Sequence, residues 1–271
     1  MTSRTAPGPA TEDEVAPASD TDQSKEPVAL TRVFGWRDLV TPAGCALIVL
    51  AEMLYIKSLD LDRTEINLLK ADLLVSQTLE HVYLSATIAL LVIAIAVPLG
   101  VLVTRKPTQW LSPIVLGVAN LGQAAPSVGL IAIIGGYAIG FWAVVSILTA
   151  YASLAVLRNT IVGLQGVDRG VLDAARGMGV SNAGLLFRIE LPLAVPIIAA
   201  GARTALVLAV ATVPFGQFLD AGGLGFTLFG AYKNDRFVAL FASALFIALL
   251  ALLLDWVGGL LQRALTPRGI R

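Results

Sequence analysis

Cysteine and histidine are almost missing from this chain, which has one of each in 271 residues, Cys45 and His81. That scarcity excludes a disulfide framework and a Cys/His metal cluster; Cys45 falls inside an apolar run and His81 on the outer side of one, which leaves no Cys/His or Ser/His/Asp nucleophilic set. Charge is scarce too. Only 14% of the residues are charged, and 19 basic side chains balance 19 acidic ones. A soluble domain carries about 25% charged residues, and a balanced charge gives no support to a nucleic-acid partner. No G-x-x-x-x-G-K-[ST] phosphate loop occurs, so the chain is not its own ATPase by that chemistry. Aromatic residues make up 7%. The four tryptophans, Trp36, Trp110, Trp142 and Trp256, fall at or near the ends of apolar runs, where they suit an interfacial belt.

What is abundant is apolar: 56% of the residues are hydrophobic and the mean hydropathy is +0.80. A helix crosses the hydrocarbon core with about 20 apolar residues. Residues 107–157 form an uncharged run of 51, enough for two passes turning at Gly135-Gly136. Residues 82–103 make another span, and 193–213 and 237–261 make two more, interrupted once each by Arg203 and Asp255. A sixth, 41–56, is shorter and carries Glu52. The runs are continuous rather than alternating, which excludes a barrel. The sequence therefore predicts an all-α membrane protein of about six transmembrane helices.

The chain divides into a tail at 1–30, a first span with its outer segment at 31–77, and the remaining spans at 78–265. The first 27 residues hold six acidic and two basic groups with little to bury, which predicts a disordered tail. With the N-terminus cytoplasmic, eleven basic residues collect on that side and five on the other, so both termini are placed in the cytoplasm. The outer segment, 57–81, carries Ile66, Leu69, Leu73 and Leu74 at helical spacing and reads as a helix resting on the outer surface.

The longest cytoplasmic loop, 158–191, reads RNTIVGLQGVDRGVLDAARGMGVSNAGLLFRIEL. Asp168 is placed to cap a short helix that Gly177 and Gly179 close, and Ser181 to cap a second that stops at Pro192. Alanines at 174 and 175 make the surface of this knob shallow. In the third span, the first pass of the run 107–157, Asn120, Gln123 and Ser127 recur at helical spacing near Pro126, which predicts one polar face. That face either lines a path or bonds neighbouring helices. Arg203 and Asp255 either pair inside the membrane or reach its surfaces separately. The run Ala221-Gly222-Gly223-Leu224-Gly225 suits a sharp external turn.

The stretch DAARGMGVSNAGLLFRIELPLAVP resembles the EAA-type motif of binding-protein-dependent ABC transporter permeases, with Asp173 where the family usually has Glu. The match carries over to Asp173, Ala174, Ala175, Gly179, Ile189, Leu191 and Pro192, with Gly177 beside them. RNTIVGLQGVD, ELPLAVPIIAAGARTA, LDAGGLGFTLF and GQAAPSVGL resemble osmoprotectant permeases in particular, over about 78–265. The resemblance implies a methionine-permease-like ABC transmembrane domain in the bacterial plasma (inner) membrane, serving glycine betaine, choline or carnitine. It implies that loop 158–191 seats on an ATPase subunit, and that Asn120, Gln123, Pro126 and Ser127 line the path. The implied partners are two cytoplasmic ATPases, which would hold ATP and Mg2+, a second permease and an extracytoplasmic binding protein. This chain itself would need no cofactor. The rival readings are a permease for methionine or another small amino acid and an ion-coupled secondary transporter.

Overall fold

The computed structural model describes residues 35–266, so the tail expected at 1–30 lies outside the described residues, as do Arg268 and Arg271. Among the described residues every regular element is helical. A 3-10 turn at Trp36–Leu39 leads into α1 (Val40–Ser58), a short α2 (Arg63–Leu68) and a long α3 (Ala71–Thr104). Then come α4 (Ser112–Ala124), α5 (Ser127–Ile134), α6 (Phe141–Gln165), α7 (Arg169–Gly177) and α8 (Asn182–Leu185). A π-helical segment, Leu186–Glu190, joins α8 to α9 (Leu191–Thr212), and a 3-10 stretch, Val213–Leu219, precedes α10 (Gly225–Lys233) and α11 (Phe237–Leu265). Five helical runs are long and apolar enough to span a membrane, and α4 with α5 makes a sixth if counted as one bent span.

Three expectations change. The outer segment does not lie as one helix on the surface: α2 holds Ile66, while Leu73 and Leu74 belong to α3. At 34 residues and about 1.5 Å per residue, α3 is about 51 Å long, well beyond the hydrocarbon core. It also runs through the boundary at 77/78. The span after α3 is not straight, because α4 and α5 meet at 88°. The cause is Pro126, which disfavours helical backbone at the residue before it. Ala125 accordingly sits at φ −70°, ψ 134°. Gly135 and Gly136 do lie in the turn that leads back to α6. Third, Pro192 does not stop a helix, since the run Asn182–Leu219 is continuous. Proline is tolerated in the first turn of α9, and the π turn before it re-registers the backbone bonds that proline cannot make.

α6 lies at the centre, against α3 on one side and α9 on the other. Lipid is as apolar as leucine, so helices in it associate through close packing of small residues. A Cβ at Gly100 of α3 would come within 2.7 Å of Thr160 on α6, and one at Gly201 of α9 within 2.7 Å of Asn159. Around these contacts Leu84, Ile88, Val92, Leu148, Val156, Ala205 and Ala209 form the buried core. α1 is peripheral, packed on α11, with only Cys45 and Glu52 buried. Its lower end is tied by Asp38, which accepts from Gly35 N at 2.7 Å and from Arg263 at 2.6 Å. The Arg263 hydrogen bond, more than the bond from Gly35, holds the Asp38 carboxyl below the usual carboxylate range.

Candidate functional site

α7 and α8 form the knob at one end of the bundle. Asp168 caps α7 by accepting from Val171 N at 3.0 Å, and Ser181 caps α8 by accepting from Gly184 N at 3.2 Å. Between them Gly179 takes φ 81°, a left-handed conformation suited to glycine, and its N–H returns to Arg176 O at 2.9 Å. Asp173, Ala174, Gly177 and Gly179 are exposed on this knob, and Asp173 pairs with Arg176 at 2.6 Å. The two alanines separate: Ala174 faces out, whereas Ala175 is 2% exposed and anchors the helix inward. Ile189, Leu191 and Pro192 lie not on the knob but in the π turn and the start of α9, half-buried. The sequence reading missed the apolar members of the face, Val171 and Met178, the latter 78% exposed. The signal was present as an i, i+3, i+7 stripe of Val171, Ala174 and Met178.

The knob is mechanically joined to two spans. Its second helix runs on into α9 without a break, and Glu190, in the π turn, pairs with Arg105 at the end of α3 at 2.6 Å. Glu190 is buried, so this link is an ion pair sheltered from screening rather than a loose surface contact. Neither residue was singled out from sequence, because nothing in the spacing of positions 105 and 190 foretells their meeting.

A groove of about 710 Å³ runs along one face of α9, lined by Ala200, Arg203, Thr204, Val207, Leu208 and Ala211, with Gln123 from α4 and Asp255 and Gln262 from α11. The α9 positions step by three and four, so they share one helical face. Arg203 and Asp255 form a bidentate ion pair in it, Nε and Nη2 each donating to one carboxylate oxygen. Gly258 and Gly259 make room for the arginine: a Cβ at Gly258 would stand 3.3 Å from Arg203 Cγ, and one at Gly259 3.4 Å from Nη1. Of the four candidates around the bend, only Gln123 lines this groove. Asn120 accepts from Arg158 at 2.9 Å, and Pro126 and Ser127 lie at and beyond the 88° bend. The helical spacing that put Asn120, Gln123 and Ser127 on one face fails because the helix ends at Ala124.

At the far end, three side chains of α3 hold the last turn of α9 and the segment that follows it. Gln77 accepts from Thr227 Oγ1 at 2.6 Å, Glu80 accepts from Gly223 N at 2.9 Å, and His81 Nε2 lies 3.0 Å from Val210 O. His81 is wholly buried here, not on an outer surface. Its partner is a carbonyl, so Nε2 carries the proton and donates. In a helix Val210 O would accept from residue 214, which is proline and has no N–H. His81 supplies the missing donor. Beyond it Gly222 and Gly223, at φ 84° and 86°, turn the chain against Glu80 and His81, where a Cβ on Gly222 would meet Glu80 Oε2 at 2.7 Å.

Residues 96–269 match the family described as binding-protein-dependent transport system inner membrane component. The osmoprotectant import permease protein OsmW of Salmonella typhimurium is 38% identical over 207 residues, 74% of this chain and 95% of that one. The carnitine transport permease protein OpuCB of Listeria monocytogenes is 35% identical over 199 residues, 73% of this chain and 90% of that one. Among solved structures, the inward-facing methionine ABC transporter MetNI aligns with TM-score 0.63 and 23% identity, over 72% of this chain and 97% of that one, a likeness that concerns the fold alone. The chain belongs to the family of binding-protein-dependent transport system inner membrane components, multi-pass permeases that are transport components rather than enzymes.

Proposed function

We propose that this chain is the permease subunit of an ATP-driven importer of osmoprotectants such as glycine betaine, choline or carnitine. The observation that carries the permease half of the proposal is the knob. It is an exposed pair of capped helices, the first with an apolar stripe and the second continuous with α9 and tied to α3 through Arg105 and Glu190. Such a surface fits a groove on a cytoplasmic ATPase, and movement of α7 would carry both spans with it. The ATPase, where ATP and Mg2+ would bind, is a separate subunit in this reading. Both termini and α7 are then cytoplasmic, and the Gly222–Gly223 turn faces outward, where a binding protein would dock. The groove along α9 is open on one side, and a second permease across it would close the groove into a path. Closure of two ATPases would push the paired knobs together and switch this path between inward and outward access.

The substrate class rests on relatives named for carnitine, choline and glycine betaine transport. The groove is consistent with delivery rather than recognition. Quaternary ammonium groups are held selectively over aromatic faces, and none of its nine lining residues is aromatic. Its one carboxylate, Asp255, is occupied by Arg203. Selectivity would therefore sit in the binding protein. The test is ATP-dependent uptake by the reconstituted complex with its own binding protein, comparing glycine betaine, choline and carnitine with methionine. Uptake of a quaternary amine and not methionine is expected. Methionine uptake with no response to any quaternary amine would overturn the substrate assignment and leave the permease assignment standing.

A further inference from the structure

α1 lies outside the matched family region, 96–269, and its buried seam contains an acid that neither the knob nor the α9 groove uses. Glu52 is 7% exposed, and neither carboxylate oxygen has a hydrogen-bond partner among the described residues. It lines a second groove, of about 520 Å³, between α1 and α11. Every other lining residue is apolar or aromatic: Tyr55, Phe237 and Phe241 stand around it with aliphatic neighbours. α1 ends at Ser58, six residues beyond Glu52, so the carboxylate lies about 9 Å inside the end opposite the α7 knob.

A charge in such a place is costly unless it is paired. A carboxylate among exposed aromatic faces calls for an organic cation, since the acid neutralises it and the rings attract it by cation–π interaction. The flanking wall is apolar and exposed along the membrane-facing sides of α1 and α11, with Ile48, Tyr55, Phe237 and Phe241 all exposed. That wall suits a cation carried on a hydrocarbon tail better than a free, strongly hydrated solute. We propose that the α1–α11 groove is a lipid site, in which Glu52 receives the ammonium headgroup of an aminophospholipid from the leaflet opposite the α7 knob.

The experiment is native mass spectrometry of the full-length permease in its purified transporter complex, titrated with phosphatidylethanolamine or phosphatidylglycerol of matched acyl chains. Wild type is expected to retain phosphatidylethanolamine in preference to phosphatidylglycerol. Glu52→Gln keeps the shape and removes the charge, and should weaken phosphatidylethanolamine retention about tenfold while leaving phosphatidylglycerol unchanged. Phe241→Leu should weaken it by a smaller factor, with the complex remaining intact and monodisperse. Equal retention of the two lipids by wild type, or unchanged retention in Glu52→Gln, overturns the proposal. So does a third result: radiolabelled choline bound by wild type and lost in Glu52→Gln, with no preference for the amine lipid, which would assign the groove to a free ammonium solute. Transport assays do not enter, so failure here is separable from failure of the importer reading.

Discussion

The bond from His81 to Val210 O makes a prediction that sequence position would not suggest. His81→Leu removes a donor from a carbonyl that Pro214 leaves without its helical partner, and it does so in a fully buried site. An orphaned buried acceptor costs about 1–3 kcal/mol. His81→Leu should therefore lose about 2 kcal/mol, with a further small loss from changed packing against Gly223. For a chain of this size that corresponds to a fall of about 4–8 °C in melting temperature. Pro214→Ala restores an N–H at 214, which lets α9 bond to Val210 O itself. The same His81→Leu change in a Pro214→Ala background should then cost clearly less, leaving a coupling energy of about 1 kcal/mol in a double-mutant cycle. The assay is thermal unfolding of the purified transporter in detergent, followed by tryptophan fluorescence, for all four proteins. Identical losses from His81→Leu in both backgrounds would refute the idea that the histidine compensates for the proline.

Three further outcomes are expected. Gly179→Arg places a side chain at φ 81° on the exposed knob. It should leave insertion intact, cost about 1 kcal/mol of local strain, and abolish transport-linked ATPase stimulation; normal uptake would reduce the knob to a connector. Breaking the α9–α11 pair by Asp255→Ala should destabilise the permease by about 2 kcal/mol, between surface and buried ion pairs because both partners are about a third exposed. The double change Arg203→Met with Asp255→Leu should recover most of that in the same unfolding assay. Single cysteines at Ser181 and at Arg63, in a Cys45→Ala background, should react with an impermeant reagent from opposite faces of the membrane. Labelling of both from outside would invert the topology.

Much of this molecule can be read in one dimension because lipid imposes one-dimensional rules. The apolar runs around 82–103, 193–213 and 237–261 became α3, α9 and α11, since a span must satisfy its own backbone. The caps at Asp168 and Ser181 were equally legible, being local hydrogen bonds between residues three apart. What could not be read was long-range. The Arg105–Glu190 link, the grip of Gln77, Glu80 and His81 on the end of α9 and the segment after it, and the inward turn of Ala175 all depend on how helices distant in sequence pack. The straight polar face through Ser127 failed for a local reason that was visible: Pro126 acts on the backbone of Ala125, and the bend outweighs the spacing.

The π turn at Leu186–Glu190 decides where this chain tolerates a change in length. A π turn holds one residue more than the α-helix it interrupts. Deleting a single residue between 186 and 190 would let the helix close into regular α geometry with α9 unchanged. Because that turn already absorbs one extra residue, the chain ahead of the deletion would keep nearly its orientation around the α9 axis, whereas a deletion from regular helix turns it by about 100° and shifts it by about 1.5 Å. A deletion within α9 would therefore swing Val171, Ala174 and Met178 to another quarter of the bundle, whereas one in the π turn would leave them in place and disturb only the local Arg105–Glu190 pair. A single-residue deletion should thus be better tolerated in these five residues than within α9 itself, because the π turn lets the chain shorten without changing the angle at which the knob is presented.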